Sequence, residues 1–246
     1  MKKWIKLTAV ILFVVMGGAG CMSSESKVME HLEEKYGEKF EIESIKEGSV
    51  IFPEMYGKDK VIAFPDGKSE LVFLAGESRS KDDVYYDTYP LSKWSAELDK
   101  KYKDKILEQF GKEIEYKTIV SAERDTYDSI KGNISFDEFM QKGIENVDVT
   151  IDIAVKTAGE PNVEEYYEPV YNLLNMLKEE NTEYYGIAVG FVDESEDISD
   201  YIRTANVNNL PWSNLDAKVY GAILVDNLRE INSPQDIADY YEKFEE

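Results

Sequence analysis

The chain of 246 residues has one cysteine and one histidine. A lone cysteine has no partner for an internal disulfide, so packing alone must hold the fold together, even in an oxidising compartment. A Ser-His-Asp triad or a Cys-His pair could be built only through His31, which falls on a charged helix beside Glu30, Glu33 and Glu34 and reads as a solvated surface side chain. A zinc site of the usual nitrogen and sulfur ligands is excluded by the same scarcity. Basic residues are few as well, 28 against 50 acidic ones, for a formal net charge of −22. That balance repels nucleic acid, whose binding needs lysine and arginine on phosphates.

Phosphate-cradling motifs are also missing. Gly186-Ile187-Ala188-Val189-Gly190 reads as the inside of a strand, with no glycine-rich turn opening a helix and no following Lys-Ser or Lys-Thr. Glycine in such a strand lets a helix or an aromatic ring come close. The nearest approach to a calcium loop is Asp193 to Asp200, with oxygen-bearing side chains at alternate positions. Ile198 stands where an EF-hand needs glycine and Thr204 where it needs glutamate, so the segment reads as an acidic loop in which Asp197 or Ser199 caps the next turn. No metal, cofactor or catalytic residue is nominated. Carboxylates are abundant enough for a glycosidase pair, but with 50 of them the sequence singles out none.

What is present begins at the N-terminus. Lys2, Lys3 and Lys6 precede an apolar stretch from Leu7 to Met16, followed by the small residues Gly17-Gly18-Ala19-Gly20 and then Cys21. This is the build of a secretory signal. Leu7 to Gly20 is too short to span a bilayer, which takes about 20 apolar residues. Gly18-Ala19-Gly20-Cys21 resembles the lipobox of bacterial lipoproteins. The resemblance implies cleavage before Cys21 and a diacylglyceryl group on its sulfur, anchoring the protein on the extracytoplasmic face of the cell membrane. Two acyl chains give stable attachment where one gives only marginal binding. Loss of Lys2, Lys3 and Lys6 with the signal moves the formal charge from −22 to −25, so the lipid and not the protein surface holds the body at the membrane.

After a signal peptide at 1–20 and a lipidated tether at 21–26, the chain divides at the polar stretch 122–133 into segments 27–125 and 134–246, as two α+β domains or one continuous one. The first carries a helix ending at Gly37, strands at Phe40 to Glu43, Val61 to Phe64 and Leu71 to Leu74, and a Pro65-Asp66-Gly67-Lys68 hairpin turn. Val84-Tyr85-Tyr86 adds a further strand. Trp94, Leu98, Tyr102, Ile106 and Phe110 recur every four residues in a long helix stopped by Gly111, before a strand from Ile114. The Tyr36-Gly37 and Phe110-Gly111 junctions repeat each other, as helix ends followed by strands.

In the second segment, Ser135 and Glu138 form a capping box. Val147 to Val155 alternates with Asp148, Thr150 and Asp152, a strand with one wet face. A helix spans about Val163 to Glu179. Tyr185 to Val189 and Tyr220 to Val225, apolar without alternation, read as strands covered on both faces. A last helix opens at Ser233-Pro234, with Ile237, Tyr241 and Phe244 inward. The fold class is therefore α+β, with a hairpin-rich first half, a strand-helix-alternating second half and mixed sheets covered by helices. The adjacent tyrosines Tyr85-Tyr86, Tyr166-Tyr167, Tyr184-Tyr185 and Tyr240-Tyr241 serve packing first, with a second face open to sugar or peptide.

Together these features describe a membrane-anchored lipoprotein that binds a protein, a wall component or a small solute. The alternative is a carboxylate-dependent hydrolase of wall polymer. That alternative requires a cleft with two facing carboxylates, one raised in pKa by apolar surroundings.

Overall fold

The computed structural model describes residues 23–48, 58–130, 133–208 and 210–245. The signal segment and Cys21 lie outside these. Among the described residues no helix is long and apolar enough to cross a membrane.

Ser24, Glu25 and Ser26, expected as part of the tether, are helical. Helix α1 runs Ser24–Tyr36 behind an extended Ser23, with Glu25 in its first turn, where a carboxylate suits the positive end of the helix. Gly37 closes it in the left-handed conformation (φ 70°) and donates its N–H to Glu33 O at 2.8 Å. Val28 and Leu32, one turn apart, are buried on an antiparallel meander of β1 (Phe40–Lys46), β2 (Lys60–Pro65), β3 (Phe73–Glu77) and β4 (Tyr85–Asp87). β3 starts later than the sequence suggests, because Leu71 N–H bonds back to Lys68 O at 2.9 Å and widens the turn beyond a tight hairpin.

Helix α2, Tyr89–Phe110, buries Trp94, Leu98, Tyr102 and Ile106 and connects this sheet to the next. The second sheet has the order β5 (Ile114–Ala122), β6 (Val147–Thr157), β7 (Tyr184–Asp193), β8 (Val219–Asp226) and β9 (Tyr241–Lys243). β6 and β7 are parallel and the other pairs antiparallel. The fold is α+β, with a hairpin-built first sheet and a mixed second one. The chain changes sheets at α2, upstream of 122–133. β5, read with segment 27–125, pairs with β6 from Ile114↔Val155 to Ala122↔Val147, because its Ile114, Tyr116 and Val120 extend the apolar face of Val155, Ile153 and Val149.

Short helices α3 (Arg124–Tyr127) and α4 (Phe136–Met140) follow β5. The capping box of α4 forms as expected, with Glu138 N–H on Ser135 Oγ at 3.1 Å and Ser135 N–H on Glu138 Oε2 at 2.8 Å. One face of the second sheet packs under α2 and under α5 (Tyr167–Lys178), which a single 3-10 turn, Val163–Tyr166, precedes. The other face is covered at one end, while Asp148, Thr150 and Asp152 along β6 stay partly exposed. Helix α6 (Ser199–Arg203) and the turn Trp212–Asn214 cover it over Ala154, Val192 and Ala222.

Two further expectations are corrected. Leu224 on β8 is 46% exposed, so that strand is not covered on both faces. The segment after Ser233 forms a 3-10 helix, Pro234–Tyr240, and not a helix reaching Phe244; from Tyr241 the chain extends and satisfies the open edge of β8, Tyr241 opposite Ile223.

Candidate functional site

A wide cleft, about 1120 Å³, opens at one end of the second sheet where the last residues of β7 meet the start of β8 and the chain after β9. Trp212, Tyr220, Leu215 and Phe244 give it an apolar wall, and Asp193, Glu160, Lys218 and Lys243 a charged rim. Its position follows from one glycine. Trp212 is buried and lies so close to β7 that a Cβ on Gly190 would sit 2.3 Å from the indole Cε3. Tyr201 of α6 holds the other side of the indole, edge to face at 5.0 Å between ring centres.

The rim is ordered by hydrogen bonds. Asp193 Oδ1 accepts the Ser195 hydroxyl at 2.6 Å and its N–H at 3.0 Å, and Asp193 Oδ2 accepts the Tyr220 hydroxyl. The Ser195 and Tyr220 bonds draw the Asp193 carboxyl down to about 2, so it is ionised at any physiological pH. Lys218 lies over the Tyr220 ring at 5.2 Å, and Lys243 pairs with Glu160 at 2.6 Å. Asp197 Oδ1 takes Ser199 Oγ at 2.7 Å and Ser199 N–H at 3.1 Å, opening the turn into α6. The oxygens of the Asp193 to Asp200 loop are thus spent on local turns. Among the described residues no group of three or more is placed to hold a metal ion.

No family model matches the chain, and no curated protein is similar to it. A solved structure is. It is that of a DUF5037 family protein from Ruminococcus gnavus ATCC 29149, 14% identical, with 74% of this chain and 78% of that one covered at a TM-score of 0.45. What the site can do is read from its own residues.

His31 is half-buried and not fully solvated. Its ring sits 5.0 Å from that of Tyr85, and burial together with the neighbouring Lys35 ammonium pushes its pKa down. It borders a buried knot. Asp87, fully buried, accepts Lys35 Nζ at 2.8 Å, Tyr36 hydroxyl at 2.7 Å and Tyr89 N–H at 3.0 Å, while Lys35 also reaches Asp128 at 3.2 Å. With its partners all in place the cluster is structural.

One carboxylate meets half of the hydrolase requirement. Asp152, on β6, has its pKa raised by burial to about 6. Its cross-strand neighbour Lys117 turns instead to Asp99 at 3.3 Å. Asp152 lines neither the wide cleft nor the smaller ones beside α2, and burial is the one cause of its shift, with no second carboxylate coupled to it. Cys21, the lipid-attachment residue of the sequence reading, lies outside the described residues. The cleft itself was not legible in the sequence, since Gly190 and Trp212 are far apart in the chain. The strand glycine was its one local sign.

Proposed function

We propose that this protein is a lipid-anchored extracytoplasmic binding protein, attached through Cys21, which holds a wall-glycan fragment in the cleft beside Trp212 without transforming it. The observation that carries the reading is the pairing of an aromatic wall with an ordered charged rim. The partly exposed rings of Tyr220 and Phe244, backed by the buried Trp212, offer an apolar surface on which a sugar ring stacks, and hydroxyl, ammonium and carboxylate groups around them bond its hydroxyls. The cleft is built on strands whose positions the sheet fixes, which suits recognition. The lipobox-like Gly18-Ala19-Gly20-Cys21 supports the anchor.

The test is a thermal-shift titration of the full chain in a non-ionic detergent with wall disaccharides and their peptide-bearing forms. A ligand at 100 times its dissociation constant adds about 2.7 kcal/mol of stability. A rise in melting temperature that Tyr220→Ala removes is the expected result; a flat response to every glycan fragment, or a shift unaltered in Tyr220→Ala, refutes the site. For the anchor, Cys21→Ala is expected to leave an unprocessed precursor or to release the protein from membranes. A cleaved, membrane-bound Cys21→Ala product refutes it.

A further inference from the structure

A second cleft, of about 350 Å³, lies where α1 ends and α2 begins, and its charge runs against that of the molecule. Lys35, Lys68 and Lys93 line it together with Tyr36, Tyr89 and Glu38, in a protein with 50 acidic residues to 28 basic ones. The three ammonium groups differ in what they meet. Lys35 is taken up by Asp87 and Asp128, at 2.8 and 3.2 Å. Lys68 approaches Glu38 only to 3.8 Å, and Glu38 already accepts the Tyr89 hydroxyl at 2.8 Å.

Lys93 is the exception. Half-buried on the first turns of α2, it donates to Asn133 Oδ1 at 3.0 Å and lies over the rings of Tyr89 at 4.7 Å and Tyr36 at 5.7 Å. Among the described residues it meets no carboxylate within salt-bridge distance. Burial is the largest influence on its pKa and lowers it; the carboxylates of Glu38 and Asp87 pull it back up from a distance, and Lys68 pushes it down again. A desolvated ammonium beside a second one is costly unless an anion joins them. The aromatic faces of Tyr36 and Tyr89 already steady the cation. They carry no charge, and Glu38 and Asp87 act on Lys93 only from beyond salt-bridge distance, which leaves room for an anion in direct contact with it.

We propose that this cleft binds a small solute through an anionic group, a phosphate or a carboxylate, held between the Lys93 and Lys68 ammonium groups against the Tyr36 and Tyr89 rings. Room for the rest of such a solute continues into the adjoining cleft of about 500 Å³, which shares Leu71, Lys93 and Asn133. The site is independent of the Trp212 cleft.

The experiment is calorimetric titration of the full chain in non-ionic detergent at low salt, with inorganic phosphate in one arm and succinate in the other. One saturable site is expected in at least one arm, weakening as salt is added. Lys93→Gln should lower affinity at least tenfold and Lys68→Gln severalfold, while Tyr220→Ala in the other cleft leaves it unchanged. Binding of phosphate alone identifies a phosphate-bearing solute; binding of both extends the site to carboxylates. The exposed position of Lys68 makes its substitution safe for folding, so it serves if Lys93→Gln does not fold. The proposal is overturned if neither anion gives saturable heat, or if the folded variants bind as tightly as the parent.

Discussion

At the scale of single residues, two positions carry costs that can be measured. Gly190 gives Trp212 its place, and a methyl group there collides with the indole at 2.3 Å. Gly190→Ala is expected to cost about 1–3 kcal/mol by overpacking and to shift tryptophan emission to longer wavelength as the indole is expelled; unchanged emission and stability would show the contact to be soft. Asp152 acts through protonation. Its folded pKa, about 6, stands above the ordinary 3.8, so the native state holds this proton more tightly than the unfolded chain does. The contribution of Asp152 to stability is therefore greatest below pH 3.8 and is lost as pH rises through 6. Asp152→Asn is expected to stabilise by on the order of 2 kcal/mol at pH 7 and by little at pH 4, as read by urea melts at both values. Equal effects at both would sink this account. The alternation around Asp152 gave its strand away, but not its burial: α6 covers this face, with Tyr201 close enough to feel the Asp152 charge, and it arrives from residues far along the chain.

At the scale of elements, the exposed side of β5 shows how a sheet edge is closed. Ser95 and Asp99, one turn apart on α2, accept the N–H groups of Val120 at 3.0 Å and Thr118 at 2.5 Å, two residues apart on β5. Helical and strand periodicities are thus matched across the contact, and the edge is denied to another chain. Ser95→Ala is expected to cost about 1 kcal/mol and to quicken hydrogen exchange at Val120 before that of β6; retained protection would mean the edge is shielded by bulk alone. Elements with local signals were legible: Gly37 as a stop, the Ser135–Glu138 box, the strict alternation of β6. The final strand β9 was not, because Ile237, Tyr241 and Phe244 fit a helical face equally well and only the unpaired edge of β8 decides for extension. The repeated junctions also part company in space. Gly37 stays in the left-handed region with ψ 20° while Gly111 turns extended with ψ −171°, and each leads into a different sheet.

At the scale of the molecule, two charged contacts bind the parts together. Arg203 of α6 reaches back to Glu43 of β1 with both terminal nitrogens, at 2.6 and 2.8 Å, and Lys35 joins α1 to Asp87 and to Asp128 beyond the second sheet's first strand. Lys35→Met leaves Asp87 buried without its cation and is expected to cost about 3 kcal/mol, seen as a lower urea midpoint; a neutral outcome would mean that Tyr36 and the Tyr89 N–H suffice for Asp87. Lys35 and Tyr36 of α1 stand 52 and 51 positions before Asp87, which is why the cleft between α1 and α2 could not be foreseen from the sequence. The parallel pairing of β6 with β7 bears on timing. These strands cannot meet until the chain from Ala158 to Glu183 has folded back across the sheet with α5 in place. Closure of so long a crossover is slow beside hairpin formation. Under the proposed export, the chain must stay threadable until it has crossed the membrane, and a sheet whose centre assembles late keeps it so.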